Sequence, residues 1–389
     1  MNRKTALLSA AAIWIMAGPG IANIDIPIAY LEQQVERPAV LTNLDRPPED
    51  IGLMGARLGL ADNAQTGSFL GHEYSVSETI VPLGDDWLEA ARTVLAEHRI
   101  LVVHAPAEKL LALADLPEAE GALIFNASAE SEALREDTCR ANVLHTMPSY
   151  AMRADALMQF LVSRRWTDLV MITGQRAADM EFAEALRNSA TKFGARIRAE
   201  REWDMSSDMR RNIGQEFPLF TQDFPSHHVM LVADEAGDFG PYLEFNAWEP
   251  RPVAGSAGAR PDAWSDRVEA YGAAQLQERF RRTADRTMRP VDYAAWAAVR
   301  SVGEAVTRTS SADPDVLRDY ILGDRFELAA FKGAAITFRD WNGQMRQPMP
   351  VATRTALVAM PPMEGFLHQS STLDTLGRDR PETACTAFN

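Results

Sequence analysis

The chain has 389 residues, with 54 acidic against 39 basic side chains and a formal net charge of −15. That acidity argues against nucleic acid and against anionic membrane surfaces as partners, since both need a basic face. The length makes two domains the natural expectation, and no repeat, low-complexity tail or heptad run is visible.

Residues 1–22 read as a cleavable export signal. Arg3 and Lys4 precede an apolar run from Thr5 to Met16, and small residues end at Gly20-Ile21-Ala22. The run is far short of the ~20 apolar residues that span a bilayer, which argues against an anchor. A soluble, periplasmic mature chain without membrane insertion is therefore expected. In that oxidising compartment Cys139 and Cys385 are expected to form a disulfide tying the tail to the segment before the middle of the chain, two unpaired thiols being the alternative.

Strand-like and helical runs then alternate. A strand is expected at 24–31, a helix from about Pro48 to a break at Gly67, a strand at 73–81 and a helix at 87–98. The continuous apolar runs at 100–105 and 122–128 suit parallel strands covered on both faces. Next comes Asn142–Leu157, read as a strand, a Thr146-Met147-Pro148-Ser149 turn and an amphipathic helix with Ala154, Leu157, Met158 and Leu161 on one face. The pattern restarts with a strand at 166–174, a helix through Phe182, Leu186 and Phe193 ended by Gly194, and strands at 195–202 and 229–235. A return strand and linker follow at 249–264, then helices at Asp266–Thr283, Pro290–Thr309 and Pro314–Leu322. Trp341-Asn342-Gly343-Gln344 is expected to turn a hairpin between a strand at 336–338 and one around Met349–Thr353. The run after Met360 should wrap a lobe surface. Strand and helix in this rhythm define an α/β chain of two doubly wound, Rossmann-like lobes.

Over nearly the whole mature chain this order resembles the type I periplasmic solute-binding proteins of ABC transporters, in the branched-chain amino acid binding class. The likeness rests on the 55–71 helix with Asn63 and Gly67, the Thr146–Ser149 crossover, the 293–306 helix and the late run through Gly333, Ile336 and Gly343. More narrowly, segments 144–157, 232–243, 248–258, 326–333 and 364–382 are similar to binding proteins linked to pyrroloquinoline quinone (PQQ)-dependent alcohol oxidation. The resemblance implies two lobes joined by a three-crossing hinge. Lobe 1 is then expected at 24–147 and 257–330, lobe 2 at 148–256 and 331–360, with a C-terminal tail at 361–389.

Ligands in open α/β sheets bind beyond the carboxyl ends of strands, which directs attention to Glu32, Asn126, Ser128 and Thr146 in the first lobe. In the resembling class, loops at the Asn126–Ser128 and Thr146 positions hold a ligand carboxylate; a plain helix cap is the alternative for Ser128 and for Ser149. Tyr150 would stack on a ligand or pack at the hinge. Asp234 and Glu235 end an apolar strand where the class places an acid for an ammonium, the alternative being two solvated acids. Ser256 lies in the permissive Gly255-Ser256-Ala257-Gly258 stretch, a binding loop or a hinge turn. Arg153, Arg251 and Lys332 lie near the crossings and are the candidate cations for an anionic ligand.

His227 and His228 are adjacent and would point to opposite strand faces, so no metal site is assigned, and no catalytic group or cofactor can be named. The expected function is a periplasmic substrate-binding component of an ABC transporter, with permease subunits as partners. Its ligand would be an alcohol-derived acid, an amino-acid-like compound or PQQ. A ligand sensor on the same fold and a maturation factor for a quinoprotein dehydrogenase are the competing readings.

Overall fold

The computed structural model describes residues 23–36, 47–204 and 213–388; the expected export signal lies outside the described residues. The chain begins with β1 (Ile24–Gln33), α1 (Leu53–Gly67), β2 (His72–Val81), α2 (Trp87–Glu97), β3 (Ile100–His104), α3 (Ala107–Ala114), β4 (Leu123–Asn126) and β5 (Val143–His145). These five strands form one parallel sheet in the order β2-β1-β3-β4-β5. Alternation along the strands sorts their side chains into two layers. Ile28, Tyr30 and Val102 enter a core with Tyr293 and Trp296, whereas Ala29, Leu31, Leu101 and Val103 pack against Trp87, Leu95 and Leu110. Both faces are covered, which is why these strands read as unbroken apolar runs.

A second parallel sheet follows. It is built from α4 (Tyr150–Ser163), β6 (Asp168–Thr173), α5 (Ala177–Phe193), β7 (Arg196–Glu202), α6 (Ile213–Thr221), β8 (Val229–Ala233), α7 (Gly240–Asn246) and β9 (Val253–Gly255). Its strand order is β7-β6-β8-β9. Leu169 and Met171 face α4 and α5, and Val170 and Ile172 face Phe217 and Leu243 of α6 and α7.

After β10 (Arg260–Pro261) come α8 (Ala273–Ala284), α9 (Pro290–Thr309), α10 (Pro314–Leu322), β11 (Leu328–Ala329), β12 (Ala335–Phe338), β13 (Met345–Arg346), β14 (Val351–Ala352) and β15 (Leu357–Ala359). The chain passes between the two cores three times: at Thr146–Ser149, between Ala257 and Ala263, and between Met345 and Val351. The last passage departs from the expected boundary at 331. Ile336, Phe338 and Met345 belong to the first core, where Phe338 packs its ring on Phe326, and Val351 belongs to the second.

The hairpin also closes earlier than expected. Thr337 pairs with Arg346 and Phe338 with Met345, because Gly343 takes a φ of 69° and the Asn342 side chain accepts from the Gln344 amide. β14 instead pairs with β10 and β15. The helix expected from Asp266 starts only at Ala273, since Tyr271 and Gly272 both have positive φ. Helices α3, α6 and α7 were not visible as separate elements in the sequence pattern.

The tail does more than cover one surface. Asp374 accepts from Arg339 and Arg346, Leu376 packs on Met152 and Ala156 of α4, and Cys385 is disulfide-bonded to Cys139 in the first lobe. With the cysteines 246 positions apart, closing that loop in the unfolded chain accounts for about 5 kcal/mol in the chain-entropy picture. No helix among the described residues is long and apolar enough to cross a membrane.

Helices α1 and α9 approach closely at Gly55, where a Cβ would stand 1.9 Å from the Asp292 carbonyl oxygen. Gly55→Ala should therefore force the two helices apart and lower stability by about 3 kcal/mol. Urea unfolding would show this as a lower midpoint with an unchanged slope; a midpoint equal to wild type would mean that the helices can separate freely.

Candidate ligand-binding site

In each parallel sheet the strand order reverses direction once, between β1 and β3 in the first and between β6 and β8 in the second. Such reversals open a crevice beyond the carboxyl ends of the strands. The segments at those ends are 32–33, 104–105, 126–130 and 146–149 from the first sheet, and 174–179, 234–235 and 256 from the second.

One side chain joins the two sets. Arg153, in the first turn of α4, is only 2% exposed. Its Nε donates to the Pro261 carbonyl at 3.0 Å. Its Nη1 donates to Glu130, in the loop after β4, and to Glu235 Oε2 at 2.6 Å; Nη2 donates to Glu235 Oε1 at 3.2 Å. The guanidinium lies 4.5 Å from the Phe182 ring centroid, and Tyr150 packs its ring 5.7 Å from Phe182. Ser256 donates to Glu235 Oε1 at 2.7 Å and accepts from the Asp234 amide at 2.9 Å.

The two carboxylates share one cation unequally. Burial pushes Glu130 up to about 7 against the pull of Arg153, with Glu235 and Asp262 raising it further. Burial also acts to raise Glu235, but the two Arg153 bonds and the Ser256 hydroxyl outweigh it and hold that carboxyl below its ordinary value. Burial acts against the Arg153 charge, and Glu130, Glu235 and Asp262 more than restore it. Desolvation and the same two acids keep the Tyr150 phenol far above its usual range.

Several expected ligand groups are bonded within the loops that carry them. Asn126 Oδ1 accepts from the amides of Ser128 at 3.2 Å and Ala129 at 2.9 Å, and its amide nitrogen reaches His145 Nδ1 at 3.0 Å. Burial, with Arg135 nearby, holds His145 well below its ordinary value, so the ring is neutral and Nδ1 accepts. Ser128 caps no helix; its hydroxyl ties to the amide and carbonyl of Ala105 at 3.0 and 3.1 Å. Thr146 Oγ1 donates to the Asn126 carbonyl at 3.2 Å, and Ser149 caps α4 by accepting from Met152 at 3.3 Å. Asp234 accepts from the amides of Asp238, Phe239 and Gly240, which folds the start of α7 onto β8. Glu32 lies at the end of β1, taking the Tyr30 hydroxyl at 3.0 Å with His104 Nδ1 at 3.6 Å. Of the nine expected residues, Tyr150, Glu235 and Ser256 gather around Arg153.

Glu130, Phe182 and Asp262 were not singled out in the sequence. One signal was available for Arg153: a cation inside the apolar Tyr150–Leu161 run must find acids, and Glu130 is the nearest acid after the strand-end Asn126-Ala127-Ser128. Arg251 is exposed and pairs with Glu249. Lys332 is buried near the third passage, bonded to Gln347 with its ammonium 4.3 Å from the Tyr293 ring centroid, and burial depresses its proton affinity. His227 bonds the Pro225 carbonyl and His228 accepts from the Asp168 amide; no metal-ligand group of three or more occurs among the described residues.

No protein-family model and no curated protein matches the chain. Solved structures do. A branched-chain amino acid ABC transporter periplasmic ligand-binding protein from Burkholderia xenovorans is 12% identical at a TM-score of 0.71, covering 94% of this chain and 100% of its own. A periplasmic binding protein from Burkholderia mallei is 14% identical at 0.69, covering 94% and 99%. A solute-binding protein of an ABC transporter from Rhodopseudomonas palustris, in complex with 3,4-dihydroxybenzoic acid, is 12% identical at 0.62, covering 87% and 97%. The chain adopts the type I periplasmic binding protein fold. These neighbours are substrate-binding proteins of ABC transporters or periplasmic binding proteins by their own description.

Because Glu130 is raised from its ordinary 4.5 to about 7 in the fold, the folded chain holds a proton there that the unfolded chain releases. The stability this confers is intact below pH 4.5 and is lost as pH rises through 7. Glu130→Gln removes that loss, so its stability relative to wild type should climb between pH 5 and 8, by on the order of 2 kcal/mol. Thermal midpoints of the two proteins across that range check this; a constant difference would show that Glu130 does not titrate there.

Proposed function

We propose that this chain is the periplasmic substrate-binding component of an ABC transporter, holding a small organic solute between its lobes. The observation that carries the reading is the meeting of Glu130 from the first lobe with Arg153 and Glu235 from the second, at the carboxyl ends of both sheets. Charged groups gathered beyond strand ends, over aromatic rings and between two covered sheets, make a solute site. Ser256 donates to Glu235, but Arg153 holds that carboxyl below its ordinary value, which makes it a poor base for activating a hydroxyl. Lobes joined by three passages close by hinge motion, and their outer faces would meet the permease subunits.

Glu32, Asn126, Ser128, Thr146, Ser149 and Asp234 belong to this proposal as groups that shape the cleft walls; Tyr150, Glu235 and Ser256 belong to its floor. The likeness of segments 144–157, 232–243 and 364–382 to binding proteins of PQQ-dependent alcohol oxidation supports a solute of that chemistry. The benzoic acid derivative held by the R. palustris neighbour fits the same size class.

A thermal-shift panel on residues 23–389 tests the reading, using PQQ, aromatic and aliphatic alcohols with their aldehydes, acids and amines, and branched amino acids. A true solute at one hundred times its Kd should raise the midpoint by about 5 °C and reduce the radius of gyration in solution scattering. Silence across the panel with unchanged scattering would count against solute binding.

A further inference from the structure

Lysine is rare in this chain: its basic side chains are arginines except for Lys4, Lys109, Lys192 and Lys332. Arginine holds its proton wherever it is placed, whereas a buried lysine can release one. Lys109 and Lys192 reach solvent, but Lys332 is 2% exposed although the next three residues of its loop, Gly333 to Ala335, are exposed. The backbone turns it inward. Phe331 and Gly333, on either side, have φ of 60° and 80°. For a phenylalanine that conformation is strained, and such strain persists only where the surroundings impose it.

What Lys332 meets inside is the hinge. Its amine donates to Gln347 Oε1 on the third passage, and Gln347 Nε2 donates at 3.1 Å to the Thr146 carbonyl on the first. Its Nζ lies 4.3 Å from the Tyr293 ring centroid, and that ring stacks, with centroids 4.8 Å apart, on Trp264, one residue past the second passage. Gln347 and Thr146 are wholly buried. A second relay of the same form runs beside it. Arg135 Nε donates to Gln344 Oε1 at 2.9 Å, and Gln344 Nε2 donates to the Met147 carbonyl at 3.2 Å. The two cations differ in what receives them: Arg135 donates to four oxygens, Lys332 to one among the described residues.

The titratable group facing Lys332 is Tyr293 from α9; the third passage presents the neutral Gln347. Arg279 from α8 lies beyond the Phe331 ring and is already paired with Asp62. No acid or base moves the Lys332 amine or the Tyr293 phenol, so burial acts alone on both and favours the uncharged amine. An ammonium in that seat would have one amide oxygen and a ring face in place of water.

We propose that Lys332 is a proton-operated latch on the hinge: seated and neutral it bolts the passages together, and protonated it leaves its seat and lets them move. The latch belongs to the hinge and does not depend on what the cleft binds. The sign follows from linkage. An arrangement in which Lys332 meets water holds one more proton, so falling pH favours it. The ratio of loosened to bolted hinge should rise by up to about tenfold per pH unit below the ordinary 10.5, until the seated amine titrates as well.

With so few lysines, lysine-selective isotope labelling of residues 23–389 lets the Lys332 amine be followed by NMR, here from pH 9 to pH 5. Its signal should be that of a neutral amine at pH 9 and turn to an ammonium on acidification. Over the same range hydrogen exchange at the Thr146, Met147, Gln347 and Met349 amides should quicken about tenfold or more relative to Lys332→Met, which has no proton to gain. A Lys332 that is an ammonium at pH 9, or still neutral at pH 5, overturns the proposal. So does protonation that leaves passage exchange unchanged, or the same pH dependence of exchange in Lys332→Met. If that variant does not fold, coincidence of the two wild-type titrations decides, and titrations that do not coincide end the proposal. None of these outcomes turns on the solute panel, so the latch and the solute-binding reading fail separately.

Discussion

A guanidinium keeps its proton at every accessible pH, so burying one obliges the fold to bring carboxylates to it. Arg153 is buried because α4 is: the helix is packed on almost every side from Tyr150 to Leu161, leaving its side chains no route to water. The acids that answer it come from different lobes, Glu130 from the loop after β4 and Glu235 from the end of β8. The carbonyl it also takes, that of Pro261, lies on the second passage between lobes. The relative placement of the two sheets at the cleft thus follows from satisfying one side chain.

The same helix organises the far side of the molecule by the same rule. Asp155 cannot reach solvent either, and it accepts from Lys192 of α5 at 2.7 Å and from the Gly377 amide at 2.8 Å. Gln159 bonds Thr375 and the Met363 amide. Buried polar groups on α4 therefore point one way into the cleft and the other way into the tail. The tail continues to Cys385, bonded to Cys139 of the first lobe, so a strap held on α4 ends covalently on the opposite lobe. Asp374 on that strap also holds Arg339 and Arg346, which flank the third passage. These contacts tie α4, the third passage and the first lobe to one stretch of tail.

What could be read from the sequence was what depends on near neighbours along the chain. The parallel strands at 100–104 and 123–126 announce themselves by unbroken apolar runs, and the Pro290–Thr309 helix by its proline start and long apolar face. The site was legible only in part, because a strand-end residue's role depends on what folds back onto it. Ser128 and Asn126 sit where a ligand-binding loop was expected, yet their polar atoms meet Ala105 and His145, partners 19 to 23 residues away. Glu130 passed unnoticed because nothing local marks it; its importance comes from Arg153 and Glu235, the latter pairing with Arg153 across 82 residues. The hairpin's early return shows the same limit. The turn at Asn342-Gly343 was visible, but the point at which the chain leaves the first core was set by Phe326 meeting Phe338.

The unequal sharing of Arg153 bears on how such a cleft would close. When the lobes separate, water solvates Glu130 and the imbalance costs little, since surface charges in high dielectric are weakly coupled. When they meet, Glu130 loses that solvation and gains only part of one guanidinium, so the closed arrangement favours the protonated carboxyl, the direction in which burial already pushes it.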